Sequence, residues 1–266
     1  MAKAQRKEDE EKKDVPSSAP AAAVEPSAPE TWQAPSKIGR KSLYVILGVV
    51  ALFNLPMIHY FLLRSPISAN QTLPFRDDYS DPATVAQKYN STGGLWRVVN
   101  GELLSPGVKN NPLWLRANLP NDVRVEFDVR SMSPEGDIKV EIFGDGSDHA
   151  SGYVLIHGGW NNSISIIARL DEHAPSLAAL QQQGGLANYR ADTRVRVEAN
   201  PFRVEIGKTY HWRIERRGKV LSWFINDVPF MSFEDPMPLT GKGHDRFGFS
   251  SWEAQLFFDN LTVTPL

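Results

Sequence analysis

Asp122–Arg130 reads DVRVEFDVR. Apolar and charged residues alternate without a break. Val123, Val125, Phe127 and Val129 face one way; Arg124, Glu126, Asp128 and Arg130 face the other. A period of two belongs to a half-buried strand, because successive side chains of a strand point to opposite faces. The β-branched and aromatic residues on the apolar side suit a pleated surface.

The same texture runs outward from this stretch. Asp137–Phe143 repeats the alternation with Ile138, Val140 and Ile142 inward, and Tyr153–His157 and Ser163–Leu170 read as strands flanking a GGWNN turn at 158–162. Thr193–Ala199 alternates again. Thr209–Arg216 and Val220–Asn226 form a hairpin across Arg217-Gly218-Lys219, and Phe230–Phe233, Arg246–Ser250 and Leu256–Thr264 complete a set of about a dozen strands. PSLAALQQQ at 175–183 reads as one or two helical turns, in an insertion ending at Gly184-Gly185. Short strands with half-buried alternation and no strand–helix rhythm predict an all-β fold, a two-sheet antiparallel jelly-roll sandwich over residues 73–266. No short internal repeat points to a propeller or solenoid. Trp212 and Trp223 fall at core positions of their strands.

Upstream stands SLYVILGVVALFNLPMIHYFLL, Ser42–Leu63, 22 residues without Asp, Glu, Lys or Arg. As a helix it spans ~33 Å against a hydrocarbon core of ~30 Å, which predicts one transmembrane helix. Lys37, Arg40 and Lys41 precede it, whereas Arg64 is the one basic residue after it before Arg76. That bias puts the N-terminus in the cytoplasm and the sandwich across the membrane. The run is longer than a signal-peptide core, and a long tail precedes it, so an uncleaved single-pass anchor is expected. Inside it, Pro56 removes a helical hydrogen bond, Asn54 is a mid-membrane amide and His59 lies near the outer end. Either Asn54 bonds the backbone freed by Pro56 while His59 reaches the interface, or this face packs against other integral membrane subunits. Residues 1–41 combine a charge run with repeated prolines and are expected to be a disordered cytoplasmic tail; residues 64–72 are a linker.

Charge narrows the partners. The chain has 29 Lys/Arg and 31 Asp/Glu, net −2, with no basic excess on either side of the anchor, so no nucleic-acid partner is expected. With no cysteine, disulfides and thiolate metal sites are excluded, and an exported domain must be held by its core. A bacterial inner membrane with the sandwich in the periplasm fits this better than a eukaryotic secreted protein. The Asn-x-Ser/Thr triplets at Asn70, Asn90, Asn161 and Asn260 are then chance matches.

LWRVVNGELLSPG, LPNDVRVEFDVR, GYVLIHGGWNNSISIIAR, the long stretch from YHWRIERRGKVLSWFIND to GHDRFGFSSW, and FFDNLTV follow one another in an order that resembles the concanavalin A-like lectin/glucanase superfamily, in its laminin-G-like and sugar-hydrolase-related bacterial branch. The resemblance implies two stacked antiparallel sheets, on which lectins, glycosidases and plain scaffolds are all built. It also implies a structural Ca²⁺ tying the first and last strands, with Asp77, Asp78 and Asp259 at the matching places. Turn and cap roles for these aspartates are the alternative.

For catalysis, Glu126 and Asp128 share a strand face, as a glycosidase pair does. The superfamily's glucanases carry Glu-x-Asp-x-x-Glu, but here Ser131 stands where the second Glu belongs, and Arg124 and Arg130 share the face. A cross-strand charge ladder explains the four residues better. The six histidines form no His-x-His or His-x3-His pair, so zinc is poorly supported. Binding is better supported: aromatic faces with amides and carboxylates on loops recognise sugars. Trp160, Asn161 and Asn162, the loop carrying Asp145 and Asp148, and Trp252 have that composition, with turn or core packing as the alternative for each tryptophan. The expectation is a membrane-anchored, non-catalytic lectin-like module recognising a glycan or an envelope protein. An accessory subunit of a membrane complex and a membrane-tethered glycoside hydrolase are the alternatives.

Overall fold

The computed structural model describes residues 37–62, 68–199 and 202–266. The expected disordered tail lies, but for its last residues, outside them, as does half of the linker. The chain divides into two units, Met1–Arg64 and Ser65–Leu266.

In the first unit one helix, α1 (Arg40–Leu62), contains the whole of the apolar run but its last residue. It is long and apolar enough to cross a membrane, judged by length and composition. Asn54 Nδ2 donates to the Val50 carbonyl at 2.7 Å, one turn back. That is not the carbonyl Pro56 leaves without its donor, which is that of Leu52. Asn54 thus places one of its N–H bonds inside its own helix, on a different carbonyl from the one expected.

The second unit is an antiparallel sandwich of fifteen strands: β1 Phe75–Asp77, β2 Tyr89–Ser91, β3 Arg97–Val99, β4 Glu102–Ser105, β5 Leu113–Leu115, β6 Val123–Ser131, β7 Ile138–Gly144, β8 Tyr153–Gly158, β9 Ile164–Arg169, β10 Val195–Ala199, β11 Thr209–Arg217, β12 Val220–Ile225, β13 Val228–Glu234, β14 Arg246–Ser250 and β15 Leu256–Pro265. One sheet runs β13-β12-β11-β6-β15-β4-β3, with β1 also on β15; the other runs β10-β9-β8-β7-β14-β5-β2. From β6 onward the strands fall where the sequence reading placed them. The strands before it, β1–β5, are three or four residues long. A period of two has no length to show itself there, and the sequence reading named none of them.

β6 sits near the middle of the first sheet, between β11 and β15. Its inward Phe127 is wholly buried and packs on Trp212, Phe249 and Phe258, with ring centroids 5.5, 5.3 and 6.1 Å away. Trp212 and Trp223 lie 4.4 Å apart in the same core. Burying such side chains contributes ~1.5–3 kcal/mol each, and in a chain without cysteine this core carries the stability.

β7 departs from expectation. All seven of its residues are buried, including Lys139 and Glu141 on the side away from the sandwich core. What covers them is loops: the β4–β5 loop brings Asn110, the β7–β8 loop brings His149 and Ala150, and the insertion between β9 and β10 brings Glu172. These strands are antiparallel neighbours and could be joined by two residues. Instead residues 170–194 make an excursion that includes a short helix, Leu177–Gln182, with Ser176 as its N-cap. Buried polar bonds pin it: Arg169 donates to Asp235 at 2.7 Å and to the Thr193 carbonyl at 2.6 Å, and the Tyr189 hydroxyl donates to Asp235 at 3.0 Å.

Candidate functional site

On the outer face of the second sheet these loops frame a cleft of about 360 Å³. Its floor is Ile156 of β8 and Lys139 of β7; Trp160 and Trp252 line it from two different loops, with Asn110, Asn161 and Glu172 between them. The two tryptophans are 40% and 47% exposed, a large apolar surface left open in a molecule whose other sandwich tryptophans are buried.

Each wall is fixed by backbone chemistry. The Trp160 turn, Gly159–Asn162, places Trp160, Asn161 and Asn162 consecutively in the left-handed region, at φ 49°, 59° and 59°. Non-glycine residues rarely adopt it, and three in a row persist only where the surroundings hold them. Asn162 does so: its side chain donates to the Val204 carbonyl at 2.7 Å and accepts from the Val204 amide at 2.8 Å. Gly158, at φ +70°, leaves the room, since a Cβ there would lie 2.5 Å from Asn162 Oδ1. On the other side the Trp252 amide donates to Asp137 Oδ2 at 2.7 Å, while its carbonyl accepts from the Lys109 amide at 2.8 Å.

The floor is a buried charge network. The Lys139 ammonium, 2% exposed, donates to Asn110 Oδ1 at 2.8 Å and lies 3.0 Å from Glu172 Oε2 and 3.9 Å from Asp137 Oδ1. Behind it His149 spans two carboxylates, with Nδ1 2.7 Å from Glu141 and Nε2 3.6 Å from Glu172. Burial alone would push the His149 imidazole down, but Glu141 and Glu172 outweigh it and hold it up at about 9. Burial would likewise raise Glu172, yet His149 and Lys139 hold it at about 2. Asp137 is raised by burial in spite of Lys139 and the Trp252 amide. Cleft groups of opposite sign are thus locked to one another rather than left waiting for a proton.

Of the sequence-predicted binding residues, Trp160, Asn161 and Trp252 come together here. Asn161 is exposed, and its amide has no partner among the described residues. Asn162 is instead the clip described above. Asp145 is a turn former, with Oδ1 accepting from the Ser147 and Asp148 amides and the Ser151 hydroxyl, and neither Asp145 nor Asp148 lines the cleft. Glu126 and Asp128 lie on the other sheet. Asp128 binds His211 at 2.8 Å and Asn260 at 2.9 Å, Arg124 binds Glu215 at 2.9 Å, and Arg130 pairs with Glu102. That is the charge ladder.

The calcium triad does not assemble: among the described residues no three acidic or histidine side chains form a metal-holding group. Asp77 is buried and saturated by Thr84 at 2.6 Å, Tyr89 at 3.1 Å, Lys88 at 3.2 Å and the Tyr79 amide at 3.3 Å. Asp78 caps Ser80 and Asp259 accepts from the Asn260 amide, the local turn chemistry that was the alternative.

The sequence reading missed Lys139, Glu141, Glu172, Asp137 and Asn110, and took His149 only as part of the Asp145–His149 loop. Lys139 and Glu141 alternate with apolar residues like any solvent-facing pair. For Glu172 the available signal was the length of the insertion after β9.

No family model matches the chain, and no curated protein matches it. Among solved structures it is similar to the carbohydrate-binding module CBM66 from Bacillus subtilis, at 14% identity and TM-score 0.48, over 73% of this chain and 98% of that one. A Bacillus subtilis protein of unknown function with a galectin-like fold aligns at 13% identity and TM-score 0.45, over 72% and 94%. Sheep galectin-11 aligns at 13% and 0.37, over 56% and 93%. Nothing about ligand or activity passes from such distant likenesses to this chain.

Proposed function

We propose that the sandwich is a non-catalytic, lectin-like module that binds a glycan in the Trp160–Trp252 cleft, carried on a single-pass anchor in a bacterial inner membrane and facing the periplasm. The observation that carries the reading is the cleft itself: two half-exposed tryptophans on loops held by buried bonds, beside the unpartnered amide of Asn161. Aromatic faces over a preorganised polar floor suit sugar rings, whose CH faces stack and whose hydroxyls bond. Two carboxylates speak against hydrolysis. Glu172, held at about 2, is no general acid near neutrality, and Asp128, the second member of the Glu126–Asp128 pair on the other sheet, is bonded to His211 and Asn260.

Binding of the full chain to a glycan array, with Trp160→Ala and Trp252→Ala alongside, tests the site. Glycan capture lost in both variants is expected; capture by neither the wild type nor the variants overturns the reading. The absence of cysteine makes topology a clean measurement. An impermeant maleimide should label Lys242→Cys in intact spheroplasts and Ser27→Cys only after lysis; the reverse pattern overturns the orientation.

A further inference from the structure

The cleft is not charge-neutral, and its imbalance bears on what enters it. Four carboxylates line it, Glu135, Asp137, Glu172 and Glu253, against one ammonium, Lys139, and the imidazole of His173. Lys139 is spent: its ammonium is buried and shared among Asn110, Glu172 and Asp137. The neighbouring cations are engaged as well. Arg196 stands over the Trp160 ring at 5.4 Å, but its guanidinium donates to Glu198 and to the Glu172 carbonyl, at 2.7 and 2.8 Å. Lys109 lies 3.8 Å from Glu253, with both side chains largely exposed. His149 sits behind the floor between Glu141 and Glu172. An incoming anion would meet no lysine or arginine without a carboxylate beside it and would face Glu135, which has no ion-pair partner among the described residues. An incoming cation would meet the cleft carboxylates and the face of Trp252, which attracts cations through its ring quadrupole, while the Trp160 ring already carries Arg196. The cavity and the tryptophans point to a ligand independently of the acids, and the acids set its charge.

Resting on the glycan-binding reading above, we infer that the ligand is an amino-sugar glycan bearing free, protonated amines, with the sugar ring against Trp160 or Trp252 and an ammonium directed at the Glu135/Glu253 side of the cleft. Uronic acid and sialic acid glycans are disfavoured by the same charges. N-acetylated chains fit the aromatic walls but forgo the electrostatic part.

The test is calorimetric titration of the full chain in a polyoxyethylene detergent, which carries no sugar, at about pH 6, where such amines are protonated. The probes are glucosamine oligomers, N-acetylglucosamine oligomers and galacturonic acid oligomers of equal length. The glucosamine oligomer should bind about tenfold tighter than its N-acetylated counterpart, the magnitude of one good charge contact. The advantage should shrink as salt is raised, because partly exposed charges are screened. The Glu135→Gln/Glu253→Gln variant should cut the ratio of the two affinities to about threefold or less. An acidic oligomer binding as tightly as the glucosamine one, or a ratio near one in the wild type, overturns the inference. If the N-acetylated oligomer still binds and Trp160→Ala abolishes it, the glycan reading stands without it. If no oligomer binds and the array is blank, both fall.

Discussion

Strands β6 and β7 carry the same message in sequence and meet opposite fates. Each alternates apolar residues toward the sandwich core with charged residues away from it. On β6 the charged residues remain at the surface, where Arg124, Arg130 and Asp128 pair with Glu215, Glu102 and His211. On β7 the corresponding Lys139 and Glu141 are almost wholly excluded from water, roofed by loops that bring Glu172, His149 and Asn110 to them. The first arrangement is a ladder worth little per pair, because water competes for every charge. The second is a network in which losing Lys139 leaves buried carboxylates short of a counter-ion. Alternation states which way a side chain points; whether it meets solvent or protein depends on chain that lies far away in sequence.

The contrast can be broken most sharply at Lys139. Replacing it in Lys139→Met should cost about 3–5 kcal/mol, since Glu172 and Asp137 lose their buried counter-ion, whereas Arg124→Met should cost about 1 kcal/mol or less. Urea unfolding followed by tryptophan fluorescence reads both, and equal costs would erase the distinction between the faces.

Next comes pH. His149 is raised from its usual value to about 9, so its contribution is complete below about 6.5 and drains away as pH rises toward 9. Glu172 is lowered to about 2, so its contribution is complete above about 4.5 and is lost as pH falls toward 2. His157, buried and held neutral down to about 4, adds a second acid loss as pH falls from about 6.5 to 4. The alkaline limb should amount to about 1–3 kcal/mol in the urea midpoint series and should vanish in His149→Gln. An unchanged alkaline limb in that variant would remove His149 from the network.

The tryptophans should separate binding from stability. Trp160→Ala and Trp252→Ala remove half-exposed side chains, so each should shift stability by about 1 kcal/mol or less while abolishing glycan capture. A loss like that of a core tryptophan, about 3–5 kcal/mol, would mark them as structural. The smallest effect belongs to the ladder: Glu126→Gln and Asp128→Asn should each change stability by about 0.5 kcal/mol and leave glycan binding as in the wild type. Loss of binding in either would move the site to the wrong sheet.

The legible part of the molecule is the part with local periodicity. From β6 to β15 the strands could be read because they are long enough for a period of two to repeat, and Trp212 and Trp223 fell into the core by the same rule. β1–β5 escaped because three or four residues do not make a pattern. Within the cleft, Trp160, Asn161 and Trp252 were visible as aromatic and amide residues on loops. Asn162 and Asp145 have the same composition but different work, holding turns, and Asp148 lies outside the cleft. Composition does not tell a residue that faces a ligand from one that faces its own backbone.

What the sequence determined by itself is therefore the direction of each long strand's side chains, the antiparallel two-sheet class, the length of the apolar helix and the absence of any disulfide. These follow from nearest-neighbour geometry, which repeats every two residues in a strand and every turn in a helix. Tertiary structure alone decided that Lys139 and Glu141 are buried while Glu126 and Asp128 are not, and that two tryptophans some ninety residues apart frame one cleft. Burial is set by what packs over a face, and here that is supplied by loops on either side of the sandwich strands and an excursion between two strands that could have been joined by a simple turn.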